Sequence, residues 1–434
     1  MWQYRVVSNS GKKVLIVGGG ASGTFTAIAL TRAGIEPVNI VIAEPRELLG
    51  EGLAYQTRDE LHRLNVPTGR LSAIEDLPDD FMEWSSAPSY SFMERRTYST
   101  YLRGHLSGEI RHLREFVTEL KPEANEKVLA TYSSGLQESF DAVVLSMGLG
   151  EARIPEFLKG VPDSPRIIKD VWDGKPLPEG RTLLCFGTGL TFIDIALTHL
   201  ARDPRNMVIA ISGSGNLPER HERSQIAPFT PTLSDVDTLE KLRSYLAGAG
   251  ESWREAVDGL RPIMEAMWRT FTPEEREEFL RTDGSNWFRR RHRIAPEVGD
   301  RVDAEIRSGR IVVKSGKVSK VLVGEEEIAL TLEDGSTLAG EYLALCIGRD
   351  YELSDPLTLN LVATEETSRG PLRMGLHVDV STGLLLKPNG DSHTNIFALG
   401  PLRSGEAFES TAIPEIRKQA FAIARSLTSV ENQG

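Results

Sequence analysis

The apolar residues of this chain gather into short unbroken runs, and two of the runs lead through a glycine turn into a helical pattern. Val14, Leu15, Ile16 and Val17 form the first run. An unbroken run predicts a strand covered on both faces, whereas strict alternation would predict one wet face. The turn after it is Gly18-x-Gly20-x-x-Gly23, and a second strand, VNIVIAEP, ends in Glu44. RTLLCFGTGLTFIDIAL repeats the strand, turn and helix order at Gly187 and Gly189, and MVIAIS then ends at Ser212. Two hairpin patterns, VLATYSSGLQESF and IALTLEDGSTLAG, each feed an apolar strand that closes on glycine, Gly148 in one case and Gly348 in the other. The Asp334-Gly335 pair in the second is a strong turn signal. Leu239, Leu242, Tyr245 and Leu246 recur at helical spacing, as do Val257, Leu260, Ile263, Met264 and Met267. Residues 234–283 are therefore expected to be helical, with a helix start at Thr272-Pro273-Glu274-Glu275. The tail predicts a strand, a turn at Gly400 and a last helix with Pro414 in its first turn.

This order predicts an α/β chain with two Rossmann-like dinucleotide-binding domains, the second inserted in the first. The expected boundaries are 1–150 for the first part, 151–329 for the inserted domain, and 330–434 for the return. A helical insert is expected at about 216–300, packed as a cap over the mouth of the site. In the first turn Gly18 allows the tight bend, Gly20 lets the backbone approach a pyrophosphate, and Gly23 lets helix and strand pack closely. The phosphates then meet free amides at the positive end of the helix, with Ser22 in its first turn. Glu44 stands where an acidic residue would hold an adenosine ribose. The second turn is weaker, because Phe192 occupies the third glycine position and no acidic residue follows Ser212.

Charge and composition narrow the function classes. The 434 residues carry a formal net charge of −12, which argues against nucleic acid as a partner. No apolar run approaches the length of a membrane span and no cleavable leader is evident, so a cytoplasmic protein with no membrane partner is expected. The two cysteines, Cys185 and Cys346, each sit in an apolar strand, which excludes a disulfide framework and a CxxC pair. No cluster has metal-ligand spacing and no GxSxG elbow occurs, so neither a metal site nor a serine hydrolase is expected.

The layout resembles the two-dinucleotide-binding flavoproteins. Within them it is most similar to the family of FAD/NAD(P)-binding proteins that includes FAD-dependent urate hydroxylase and the nitrosuccinate-forming aspartate N-monooxygenase. The likeness covers nearly the whole chain. It rests on GGGASG, LNVPTGRLSA, ERRTYSTYLRGHL, FGTGLTFID, WREAVDGLRPIMEAMW, RRRHRIAP and FESTAIPEIRKQA. The resemblance implies FAD at Gly18, Gly20, Gly23 and Glu44, with the isoalloxazine bounded by the Asn65 and Gly400 segments, and NADPH or NADH on the second unit. Two departures stand out. Ser212-Gly213-Ser214-Gly215 lies where relatives carry arginine, and the longer Baeyer–Villiger motif with its histidine is absent from residues 150–180.

Several residues are candidates for the site. Arg291, His292 and Arg293, beside Trp287, would bind an anionic substrate or the nicotinamide phosphates, with a solvated charged face as the alternative. His292 would serve as acid or base, since histidine titrates near neutrality. Arg403, Ser404 and Glu409 lie in the tail turn expected to face the flavin, where they would contact substrate, with capping of the final helix as the alternative. Arg95, Arg96 and Tyr98 precede a helix and would hold FAD phosphates, with an ordinary surface pair of arginines as the alternative. Gly148, Gly187, Gly189 and Gly348 are further cofactor candidates, as is Thr411, near which a helix would aim amides at the flavin. Ser410 and Thr411 would alternatively cap that helix. The expected reaction is monooxygenation: NAD(P)H reduces FAD, and one oxygen of O₂ passes to a small polar, nitrogen-containing substrate. N-hydroxylation of an amino acid or amine comes first, and hydroxylation of a purine-like ring second. A flavin dehydrogenase or reductase, and a non-catalytic nucleotide-binding protein, are the alternatives. The oligomeric state, a homo-oligomer included, stays open.

Overall fold

The computed structural model describes residues 11–148, 150–349 and 351–429. In chain order the strands are β1 (Val14–Val17), β2 (Ile40–Ala43), β3 (Arg111–Leu113), β4 (Val117–Pro122), β5 (Val128–Tyr132), β6 (Gln137–Phe140) and β7 (Ala142–Leu145). Then come β8 (Ile167–Ile168), β9 (Thr182–Phe186), β10 (Met207–Ser212), β11 (Ile311–Ser315), β12 (Val318–Val323), β13 (Ile328–Leu332) and β14 (Thr337–Gly340). The last three are β15 (Tyr342–Leu345), β16 (Leu384–Leu386) and β17 (Ser392–Ala398). The first sheet runs β16-β17-β7-β1-β2-β3 and is parallel except for β16.

All four residues of β1 are buried, and the sheet shows why the run does not alternate. Val14 and Ile16 face the helix Ala21–Arg32 and the tail helix Ile413–Thr428. Leu15 and Val17 face the hairpin strands β4 to β6 and the helix Pro356–Ala363. Each large side chain buried in this way contributes roughly 1.5–3 kcal/mol.

The second sheet, β11-β10-β9-β15-β8, is parallel throughout. Each parallel sheet is fed by a three-stranded antiparallel one: β4 to β6 lead into β7, and β12 to β14 lead into β15. The domain boundary expected at 330 therefore moves. β15 pairs with β9, Leu343 opposite Leu184, so the inserted domain runs on through β15 and the chain returns to the first sheet only afterwards. An apolar run that closes on glycine does not by itself reveal which sheet receives it. Phe192 fills the third glycine position as a fully buried core residue, beside Cys185 and Cys346.

Helices Leu239–Gly248, Trp253–Gly259, Met264–Thr270, Pro273–Thr282 and Gly284–Arg291 form the insert around Trp268, Phe279 and Trp287. Thr272 and Glu275 close a capping box, 3.2 Å from the Glu275 amide to Thr272 Oγ1 and 2.9 Å in return. The insert rests on the tail of the first domain. Phe408 stacks on Trp268 with ring centroids 4.4 Å apart, and Trp268 Nε1 donates to the Gly405 carbonyl at 3.1 Å. Among the described residues no helix is long and apolar enough to cross a membrane.

Candidate functional site

A cleft of about 830 Å³ opens where the carboxyl ends of both sheets meet. Ligands of open α/β sheets bind at such an edge. One end of the cleft is the first glycine turn, with Gly18, Gly20 and Ser22. The other is the start of the tail helix, with Pro401, Thr411 and Ile413. The second domain contributes Trp172, Thr191, Gly348 and Arg349 to the wall.

The first end has the form a dinucleotide needs. Gly18 holds φ +100°, and a Cβ there would stand 3.0 Å from the Ser146 carbonyl oxygen. A Cβ on Gly23 would lie 1.9 Å from the Gly18 carbonyl oxygen, so only glycine lets the helix sit this close. The helix Ala21–Arg32 has no side-chain cap and no acidic residue in its first turn, which leaves its positive end open to an anion. Glu44 is buried on the cleft wall. Its carboxylate accepts from the Gly19 amide at 2.9 Å and from the Arg46 amide and guanidinium at 3.1 Å each. Each carboxylate oxygen has two acceptor positions, so capacity for a ribose hydroxyl remains. On these grounds the residues present fit FAD.

The far end corrects one expectation. Neither Ser410 nor Thr411 caps the tail helix: its N-cap is Ala412, with no side-chain bond to the first amides. Ser410 Oγ pairs with Ser404 Oγ at 3.1 Å instead. The helix therefore begins uncapped beside Thr411 and Ile413 on the cleft wall. Gly400, at φ +68°, donates its amide to Gln419 Oε1 at 2.7 Å and sets the turn before this helix.

In the second unit Gly187 holds φ +108°, and its Cβ would meet the Cys346 carbonyl oxygen at 2.5 Å. Gly189 has open space where its Cβ would be. Thr188 Oγ1 bridges to Ser212 Oγ at 2.9 Å and donates to the Asn216 carbonyl at 2.6 Å, which ties the turn to the end of β10. Arg220 is held by Asp300, Asp303 and the Gly299 carbonyl, and Arg223 by Asp300. Both are thus committed to carboxylates of the helix Pro296–Arg307.

Of the cofactor candidates, Gly18, Gly20, Ser22, Glu44, Gly148, Gly348 and Thr411 line the cleft. Arg96 points away from it, donating to Glu94 at 2.7 Å and Glu60 at 2.8 Å. Its neighbour Arg95 faces the cleft. Asn65 stands at the domain junction, where its carbonyl accepts from His221 Nε2 at 3.0 Å.

None of Arg291, His292, Arg293 and Arg403 lines the cleft. Arg293 is 1 % exposed, and its guanidinium grips Asp258 while Nε donates to the Arg290 carbonyl at 2.8 Å. Arg291 Nε donates to Glu409 at 2.7 Å, and Trp287 Nε1 reaches the other oxygen of Glu409 at 2.9 Å. Arg261 binds Glu415 at 3.0 Å in the first turn of the tail helix. These arginines thus form a layer behind the tail end of the cleft and buttress it. His292 stacks on Phe288, and burial pushes its pKa down to about 4, so it is neutral near pH 7 and unsuited to be a general acid. Arg403 is buried and donates to the Val380 carbonyl.

Trp172, Tyr55, Tyr351 and Arg349 also line the cleft. They lie in connections between predicted elements, where periodicity carries no signal. Burial raises the Tyr55 pKa to about 12, so its hydroxyl stays protonated. Among the described residues no group of histidine, cysteine and carboxylate side chains could hold a metal ion.

A protein-family model described as FAD-NAD(P)-binding matches residues 15–150. No curated protein matches the chain. Among solved structures, an ornithine hydroxylase from Pseudomonas aeruginosa in its reduced form superposes with a TM-score of 0.63 at 16% identity, over 96% of this chain and 98% of that one. An ornithine N-hydroxylase from Kutzneria sp. 744, with reduced FAD, NADP⁺ and L-ornithine, gives the same TM-score of 0.63 at 16% identity and the same coverage, 96% and 98%. A bacillithiol disulfide reductase from Staphylococcus aureus gives 0.59 at 15% identity, again over 96% and 98%. At such identities the likeness is one of fold. From the first glycine turn to the tail helix, the chain carries the two-domain FAD/NAD(P)-binding flavoprotein fold.

Proposed function

We propose that the protein is an FAD-dependent monooxygenase that uses NAD(P)H and O₂ to hydroxylate a small polar, nitrogen-containing substrate, with N-hydroxylation of an amino acid or amine favoured. The observation that carries this is a cleft, walled by both domains, that joins the first glycine turn to the uncapped start of the tail helix. Bound FAD supplies hydride acceptance and oxygen activation. The chain supplies the rest. Gly18, Gly20, Ser22 and the helix behind them receive the pyrophosphate, and Glu44 the ribose. The amides that open the tail helix offset negative charge at the flavin edge. Trp172 and Tyr351 exclude water, and Tyr55 Oη keeps its proton. The ornithine substrate of two fold relatives supports an amine or amino acid. The disulfide reductase relative shows that the fold hosts other reductions, but Cys185 and Cys346 are buried in the core of the second domain and neither lines the cleft.

Arg70, Arg261, Arg291 and Arg293 pair with Asp258, Glu409 and Glu415 outside the cleft wall, so they brace the tail segment and do not touch a substrate. Arg291 Nη2 is buried with no hydrogen-bond partner. The test is anaerobic flavin reduction by each nicotinamide, followed by O₂ mixing with candidate amines and amino acids. Substrate-dependent O₂ uptake with a hydroxylamine product is expected. Steady H₂O₂ release without product, or electron transfer to an organic acceptor, would move the protein to the reductase class. A purified protein that neither carries nor rebinds flavin would end the enzyme reading.

A further inference from the structure

Asp194 is a buried carboxylate one turn into the helix Leu190–Arg202, the helix that begins at the second glycine turn. Its partner comes from the other domain. Arg95, at the start of the helix Arg95–Gly104, places a guanidinium nitrogen 2.6 Å from Asp194, and both side chains are largely buried. The same guanidinium lies over Trp172, 5.5 Å from the ring centroid, and Arg95 Nε donates to the Arg63 carbonyl at 3.2 Å. Trp172 is held again through its carbonyl, which accepts from Gln56 Nε2 at 2.6 Å. One turn along the same helix face, Thr198 Oγ1 bonds His62 Nε2 at 2.9 Å and also donates to Asp59. His62 in turn meets Thr57 Oγ1 at 2.7 Å and stands edge-on to Trp172 at 5.5 Å. Asp194 and Thr198 thus present one polar face of a second-domain helix to residues 56–63 and Arg95 of the first domain. Thr191, on the same helix, lines the cleft.

We propose that Arg95, Asp194 and Trp172 form an interdomain clasp that fixes the helix Leu190–Arg202 against the cleft, and that Asp194 is a positioning residue for electron delivery from nicotinamide to flavin. This rests on the reading of the second unit as the nicotinamide site. A buried ion pair between domains is costly to half-break, so it holds one relative placement firmly. Misplacement of reacting groups by about 1 Å slows a step by about a hundredfold. The clasp therefore bears on the reduction step and leaves FAD retention alone.

The test compares the wild-type holoenzyme with Asp194→Asn, Asp194→Glu and Thr198→Val. Anaerobic reduction by saturating NADH or NADPH should slow about ten- to a hundredfold in Asp194→Asn. Flavin content, reduction by dithionite and reoxidation by O₂ should not change. Asp194→Glu, which keeps the charge, should recover most of the rate. Hydrogen exchange should rise in Asp194→Asn at residues 56–63, 170–172 and 190–198 together, and to a smaller degree in Thr198→Val, which tests the clasp if Asp194→Asn does not fold. Unchanged exchange across this interface would overturn the clasp. Slowing of both half-reactions equally, or loss of FAD, would overturn the positioning role. If neither nucleotide reduces the wild-type flavin, the proposed function fails, and the exchange measurement alone decides the clasp.

Discussion

Replacing Arg293 by methionine should cost about 3 kcal/mol of folding stability, although the sequence offers Arg293 as a candidate for an anionic substrate or the nicotinamide phosphates. The side chain is fully enclosed, grips Asp258 with its guanidinium, and lies 5.6 Å from the Trp253 ring centroid. Its loss leaves a buried carboxylate without its main partner, a change that typically costs about 3–5 kcal/mol. The low end applies here, because Arg70 Nη1 stands 3.9 Å from Asp258 and offers partial compensation. The urea slope grows with the surface exposed on unfolding and, for a chain of 434 residues, lies above the small-protein range of about 1–3 kcal/mol per molar, so the midpoint should fall by about 1 M or less. The double variant Arg293→Met/Asp258→Leu removes both charges and should recover to within about 1 kcal/mol of wild type. Urea denaturation of the four proteins at pH 7.5, with flavin content and kinetics measured beside it, forms the cycle. A single variant as stable as wild type, or a double variant no better than the single, would refute the structural assignment. Lost substrate use at unchanged stability would return Arg293 to the binding site.

Four further outcomes are expected. Gly23→Val should yield protein without FAD, since its Cβ would lie 1.9 Å from the Gly18 carbonyl oxygen; full flavin absorbance in the purified variant would remove FAD from this turn. Arg291→Ala should lower folding stability by about 3 kcal/mol, because the buried Glu409 carboxylate loses its guanidinium partner, with the KM for substrate little changed; a variant as stable as wild type would remove the residue from the buttress. NADH should serve at least comparably to NADPH, because Arg220 and Arg223 are bound by Asp300; a strong NADPH preference that vanishes in Arg220→Ala would show that the pair opens. Burial lowers the pKa of His221 and of His292 from the ordinary 6.5 to about 4, so between these values the unfolded chain binds more protons. Stability from these histidines is therefore complete above pH 6.5 and lost as pH falls toward 4, by at most about 3 kcal/mol each, and a urea midpoint that does not drop from pH 7.5 to pH 5 would contradict it.

The first nucleotide unit was legible in the sequence because each part of it is local. A four-residue apolar run, glycines at fixed offsets and an acidic residue one strand later define a turn whose sterics are settled within about 30 residues, as Gly18 and Gly23 show. The alternation of parallel strands and helices, and the helical periodicity of the insert, were legible for the same reason. Placement was not. The run ending at Gly348 reads the same whichever sheet receives it, and only pairing of β15 with β9 put it in the second domain. Arg95 and Arg96 are equivalent as neighbours in sequence, yet the helix turns one into the cleft and the other toward Glu60 and Glu94. Arg291 and Arg293 looked free because their carboxylates, Glu409 and Asp258, lie 118 and 35 residues away. Trp172 reaches the cleft only through packing between domains. Local backbone sterics and hydrophobic period are written in consecutive residues, whereas the partner of a charge and the sheet that accepts a strand depend on which distant surfaces meet when the two cores close.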